Sequence, residues 1–230
     1  MIQLPFEDRA EAGRLLGAEL NQQRLSNAIV LALPRGGVSV GFEVAKTLHA
    51  PLDTVVVRKL GVPWQPELAM GAIAGGSFQV LDYEMIAHLG VSPEEIERVI
   101  AKERAEGQRR EKLYRGERPA PDVHSRTVVL VDDGLATGST MLVAVRYVRS
   151  LRPARLIVAV PVGSREACAR VAKEVETLVC LAKPQPFIAV GEWYYDFRQV
   201  TDSEVQRMLE ENQEQIDAAG GIERRHRSES

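Results

Sequence analysis

The hydrophobic pattern of this chain alternates between two periods. Short apolar runs at residues 28–33, 54–57, 127–131, 156–160 and 178–181 have the length and β-branched content of buried strands. Between them, apolar positions return every three or four residues at 7–23, 38–48, 141–151 and 164–175, which predicts helices. Strands alternating with helices predict an α/β domain, a mostly parallel sheet with helices on both faces. After Gly61 the pattern lapses into Pro, Trp and Gly up to Gly76. That stretch predicts a loop with at most a short strand at 71–74, followed by a further candidate strand at 78–81.

One segment breaks the rhythm. Ser92-Pro93-Glu94-Glu95 is a helix start, with Ser as the cap, Pro in the first turn and Glu placed for a capping box. A charged helix then runs toward Tyr114, with Glu94–Arg98, Glu106–Arg110 and Glu111–Arg115 spaced for pairs one turn apart. Residues 83–115 therefore read as a helical insertion within a single domain spanning 1–217. The small and charged residues of 218–230 show no periodicity and predict a disordered tail.

Composition narrows the function classes. A 230-residue chain with 45% hydrophobic content can bury a sizeable core. A formal net charge of −3 gives no electrostatic case for nucleic-acid or membrane binding. No apolar run reaches membrane-spanning length and the first residues lack a signal-peptide pattern, so a cytoplasmic protein is expected. Cys168 and Cys180 read as small buried hydrophobes, and the four His show no metal-ligand spacing.

The chemistry concentrates in Val128-Val129-Leu130-Val131-Asp132-Asp133-Gly134-Leu135-Ala136-Thr137-Gly138-Ser139-Thr140. An apolar strand runs into two adjacent carboxylates, then a small-residue loop, then a helix. The free N–H groups and hydroxyls near Thr137, Gly138, Ser139 and Thr140 converge on an anion site fit for a phosphate monoester. Two carboxylates beside a phosphate make sense if they grip something uncharged, such as the two hydroxyls of a ribose. The segment reads as a cradle for a ribose 5-phosphate.

This segment resembles the 5-phosphoribosyl-1-pyrophosphate (PRPP) signature of the type I phosphoribosyltransferases, with both acids, the Thr-Gly pair and the last Thr in place. The resemblance implies the type I phosphoribosyltransferase fold with a small hood, here about 183–200. It implies a Mg²⁺-dependent transfer of 5-phosphoribosyl from PRPP to a nitrogen acceptor, a nucleobase first, with release of pyrophosphate. The metal would arrive with the substrate and reach Asp132 or Asp133.

Other residues acquire roles beside that motif. Arg35-Gly36-Gly37 follows the first strand; alone it is a turn, but in this family it is the pyrophosphate loop, often with a cis peptide. Arg35 would hold pyrophosphate oxygens, with Lys59 or Arg58 against the same group, although both could be ordinary strand-end charges. Relatives place a lid at 63–76, where Trp64 suits a lid, a homodimer contact or the core. The aromatic segment 187–197 resembles the hood of purine-type enzymes, with Phe187 stacking on a base and Asp196 accepting from it. A satellite hydrophobic cluster explains the same residues. Ala136 departs from the 6-oxopurine pattern, which has an Asp there, so the acceptor stays open. A PRPP- or nucleotide-sensing regulator without turnover is the rival reading.

Overall fold

The computed structural model describes the backbone of residues 2–228 and the side chains of 2–219. The chain opens with α1 (Arg9–Asn21), β1 (Ala28–Ala32), α2 (Gly36–Leu48) and β2 (Leu52–Thr54). Three strands follow, β3 (Val57–Val62), β4 (Gln65–Ala74) and β5 (Phe78–Leu81), and then α3 (Tyr83–Leu89) and α4 (Pro93–Arg115). The second half holds β6 (Thr127–Val131), α5 (Ser139–Ser150), β7 (Arg155–Val162), α6 (Arg165–Ala172), β8 (Thr177–Ala182) and α7 (Asp202–Ser228).

The core is a five-stranded parallel sheet in the order β2-β1-β6-β7-β8. Successive side chains on a strand point to opposite faces, and the burial follows that rule. Val30, Ala32, Val129, Val131, Ile157 and Ala159 face one cluster with Leu16 of α1, Val44 of α2 and Val205 of α7. Ile29, Leu31, Val128, Leu130, Leu156 and Val158 face the other, with Val145 of α5 and Val171 of α6. Helices on both faces explain why these strands are apolar throughout.

The expected loop at 61–76 is instead part of an antiparallel sheet, β3-β4-β5. Pro and Gly read as breakers in sequence, but the sheet accommodates them. Val62 pairs with Gln65 around a tight turn carrying Pro63 and Trp64. Pro66 lies where β4 has β3 on one side only, since β5 pairs with Gly71–Ala74 alone, and an edge tolerates a missing N–H. A bulge sits at Gly61, where a Cβ would come within 2.3 Å of the Pro66 carbonyl oxygen. The expected single strand at 54–57 is likewise split, its first part closing the core sheet and Val57 opening the second sheet. Trp64 stands at the turn, 57% exposed, and is not core.

The helical insertion is present, and its capping box at Ser92 and Glu95 is formed. It packs on the second sheet: Leu60, Met70 and Ile73 meet Ile86 and Ile100. Glu106 takes both Arg109 and Arg110, which pull its carboxyl down to about 2. Arg115 turns to Asp53 at 2.9 Å rather than pairing with Glu111. α7 was not foreseen; the tail expectation, 218–230, falls mostly outside the residues whose side chains are described.

Candidate active site

In the sheet order, the chain leaves β1 toward β2 on one side while β6 lies on the other. Such a switch point opens a crevice at the carboxyl ends of the strands. The two sequence motifs meet there. Ala32 and Val131 are in register, and the Leu33 N–H donates to the Val131 carbonyl at 2.9 Å. Arg35-Gly36-Gly37 then turns into α2, through a cis peptide at Pro34–Arg35, while Asp132 and Asp133 leave β6.

The two loops touch so closely that only glycine fits. A Cβ on Gly36 would lie 2.0 Å from Asp133 Oδ2, and one on Gly37 would lie 2.9 Å from the Asp132 Cα. Asp132 Oδ1 accepts from the Asp133 N–H at 2.8 Å. Burial, and then the neighbouring Asp133 charge, push the Asp132 carboxyl well above the ordinary carboxylate range. Burial also raises Asp133, against the pull of Arg9.

Arg9, from the first turn of α1, is the residue that the sequence reading missed. Its Nε donates to Asp133 Oδ2 at 2.8 Å and its Nη1 to the Arg198 carbonyl at 2.9 Å. The guanidinium lies 3.8 Å from the centre of the Phe197 ring. A signal existed: a cation in the first helical turn opposes the helix dipole and needs a partner. Tyr194 was also passed over. Its hydroxyl donates to the Asp133 carbonyl at 2.6 Å, so the hood grips the acid pair through Tyr194 and Phe197.

The loop from Ala136 to Thr140 is open to solvent on its outer side. Gly138 has a φ of +73°, a conformation that glycine adopts freely, and caps α5. Ser139 and Thr140 begin that helix, and Thr137 Oγ1 lies 3.3 Å from Ser139 Oγ. Gly134 is pressed by the hood: a Cβ there would meet Val190 at 2.6 Å.

The basic residues divide. Lys59 is exposed on β3 and lines a cleft of about 590 Å³ together with Ser139 and Thr140. Arg58 and Lys59 lie inside β3, not at the end of a core strand as expected; Arg58 pairs with Glu103 of α4 at 2.6 Å. Arg35 stands at the start of α2, 3.8 Å from Asp202. Phe187 packs half-buried on Trp193, ring centres 6.2 Å apart, and shares a cluster with Phe6 and Tyr194. Asp196 is exposed, accepts from the Arg198 N–H at 3.0 Å, and lines a groove with Arg9.

Comparison with known proteins agrees with this fold. The family model of the phosphoribosyl transferase domain matches residues 7–198, and the chain belongs to that family. A Mycobacterium tuberculosis (strain H37Rv) protein, whose name assigns it provisionally to the phosphoribosyl transferases, is 42% identical over 218 residues. The match covers 95% of this chain and 49% of the mycobacterial one, so the chain spans about half the length of that relative. The crystal structure of TT1426 from Thermus thermophilus is 43% identical with a TM-score of 0.78, covering 90% of this chain and 98% of the other. The fold is that of the type I phosphoribosyltransferases. Among the described residues, no helix is long and apolar enough to cross a membrane.

Proposed function

We propose that the chain transfers the 5-phosphoribosyl group of PRPP to a nitrogen acceptor, a nucleobase first, and releases pyrophosphate. One observation carries the reading. The acid pair and the Gly36-Gly37 turn are in contact where β6 and β1 end, a Cβ on Gly36 falling 2.0 Å from Asp133 Oδ2, and the loop at Thr137–Thr140 follows the pair directly in sequence. The reading divides PRPP among three subsites. Thr137 to Thr140 take the 5-phosphate, Asp132 and Asp133 the ribose hydroxyls, and Arg35 with Gly36, Gly37 and Lys59 the pyrophosphate.

The reacting carbon gains positive charge as pyrophosphate departs. The acid pair supplies negative field beside it, and the cations on the other side offset charge on the leaving group. Holding three anchor points of one substrate in a fixed geometry supplies much of the remaining acceleration. No covalent intermediate is needed.

Mg²⁺ is expected with the substrate. Among the described residues no three carboxylates, His or Cys gather to hold a metal by themselves. Asp132 has Oδ2 uncommitted and Asp133 has Oδ1, because their other oxygens accept from the Asp133 N–H and Arg9. Two such oxygens fit an ion that takes most of its ligands from substrate and water. Bound Mg²⁺ would neutralise the pyrophosphate and polarise its bond to the sugar.

Release of pyrophosphate from PRPP, followed with Mg²⁺ across a panel of purine and pyrimidine bases and simple amines, tests the reading. Turnover with one acceptor supports it. PRPP binding without turnover for any acceptor favours the sensing alternative, which the Arg9 lock on Asp133 and the absence of an acid at Ala136 both support.

A further inference from the structure

α6 lies directly behind the loop assigned above to the 5-phosphate and meets it at three consecutive residues. Ser164, which caps the helix, donates through Oγ to the Ala136 carbonyl at 2.8 Å. Arg170 Nη2 donates to the Thr137 carbonyl. Gly138 backs onto the helix, where a Cβ would lie 3.3 Å from the Ala167 Cβ and 3.4 Å from Val171.

These contacts have a directional consequence. In a trans peptide the carbonyl and the following N–H point opposite ways. Drawing the Ala136 carbonyl toward α6 turns the Thr137 N–H to the far side of the loop. Drawing the Thr137 carbonyl does the same for the Gly138 N–H. Neither N–H finds a backbone acceptor among the described residues. Ser139 and Thr140 follow as the first two positions of α5, whose N–H groups have no partner within the helix. The Ser139 N–H reaches Thr137 Oγ1 at 3.5 Å, so the Thr137, Gly138 and Thr140 N–H groups are the donors left for one anion.

We propose that Ser164 and Arg170 are positioning residues of the phosphate loop. They hold two carbonyls back so that the Thr137 and Gly138 N–H groups face a phosphate monoester. Arg170 also supplies a full positive charge to a loop, Gly134 to Thr140, that has no cation of its own. The inference rests on the assignment of that loop to the 5-phosphate. Its reach is local, since the turn at Gly36 and Gly37, assigned to pyrophosphate, follows β1 and is not part of the loop that α6 braces. The brace therefore tunes recognition of a terminal phosphomonoester and leaves pyrophosphate recognition alone.

Calorimetry on the full chain tests this with four probes: PRPP, ribose 5-phosphate, inorganic phosphate and pyrophosphate, each with Mg²⁺. Arg170 is exposed, so R170Q should keep the wild-type melting point. We expect R170Q to weaken PRPP and ribose 5-phosphate by a common factor of about tenfold, with pyrophosphate unchanged. The deficit should shrink in high salt, as screening removes the charge contribution, and R170K should recover part of it. S164A should lose affinity for the same two probes, and S164T, which retains a capping hydroxyl, should restore it even if S164A also loses stability.

Binding of ribose 5-phosphate by both R170Q and S164A within twofold of wild type overturns the inference. A loss that includes pyrophosphate equally also overturns it, because the effect is then general. A wild-type chain that binds ribose 5-phosphate or inorganic phosphate but not PRPP removes the PRPP reading while the brace is still tested on those two probes. A wild-type chain that binds no phosphate compound ends both.

Discussion

Arg9 holds Asp133 through the same oxygen that the turn at Gly36 crowds, its Nε 2.8 Å from Oδ2 and 3.0 Å from where a Gly36 Cβ would lie, both side chains nearly buried. The pair joins the first turn of α1 to the end of β6, and through the Arg198 carbonyl and the Phe197 ring it joins both to the hood. Removing one member of a buried pair leaves a charge without compensation, which costs about 3–5 kcal/mol. Here the orphan would also face Asp132. Arg9→Met should therefore destabilise strongly, and Arg9→Met with Asp133→Asn should recover much of the loss. Urea unfolding of the two variants checks this; equal stabilities would show that Arg9 does not act through Asp133.

Asp132 sets a pH dependence of unusual sign for an acid. Its folded pKa is raised by burial and by Asp133, so the folded state binds that proton more tightly than the unfolded chain. The stability associated with the proton is present below the unfolded value near 3.8 and is lost as pH rises through the folded value. Asp132→Asn removes the charge and retains an acceptor for the Asp133 N–H. At pH 7.5 the variant should melt a few degrees higher than wild type, roughly the effect of 1 kcal/mol in a domain of this size. Near pH 3.5 the difference should fade. A variant less stable than wild type at pH 7.5 would mean that the carboxylate contributes contacts worth more than its desolvation. Stability gained this way should come with loss of PRPP binding, the usual exchange at a working site.

Glycine substitutions separate close approach from mere flexibility. Gly36→Ala places a methyl group 2.0 Å from Asp133 Oδ2, so the carboxylate or the loop must move. A cost of about 1–3 kcal/mol is expected, with a marked loss of PRPP binding. Gly107→Ala, inside α4, meets only the Arg58 Cγ at 3.7 Å and should stabilise by about 0.5–1 kcal/mol. Denaturant midpoints for the two proteins, with PRPP calorimetry for the first, check both signs.

The core strands and the strand-turn-helix at Asp132 to Thr140 were legible because each depends on neighbours in sequence. β6 is a run of apolar residues, and Asp132 to Thr140 follow it without a break. The second sheet was not legible, because β4 is stabilised by partners on β3 and β5 and by α4 rather than by its own composition. Pro66 survives there only through a missing neighbour strand, which a linear reading cannot see. The ion pair of Arg58 was hidden for the same reason: Glu103 lies 45 residues away. Arg9 is 124 residues from Asp133, and nothing local in α1 names its partner.

The hood offers the sharpest division between structural and recognition roles. Tyr194 is buried, donates to the Asp133 carbonyl at 2.6 Å and stacks on Phe197 with ring centres 5.2 Å apart. Tyr194→Phe keeps the stack and deletes the hydrogen bond, so it should cost about 0.5–1.5 kcal/mol and weaken PRPP binding as Asp133 loosens. Phe187 lies half-buried on Trp193, in the cluster around Phe6 and Tyr194. If a planar base is the acceptor, Phe187→Ala should lose stacking of about 1–3 kcal/mol in nucleotide binding. PRPP affinity should then stay unchanged. If Phe187 only packs the hood, the substitution should lower the melting point with no selective loss of nucleotide. Measuring melting point, PRPP affinity and affinity for a set of nucleoside monophosphates on both variants distinguishes the two roles. Loss of PRPP binding in Phe187→Ala but not in Tyr194→Phe would reverse the assignment and place the reacting carbon against Phe187 instead of Tyr194.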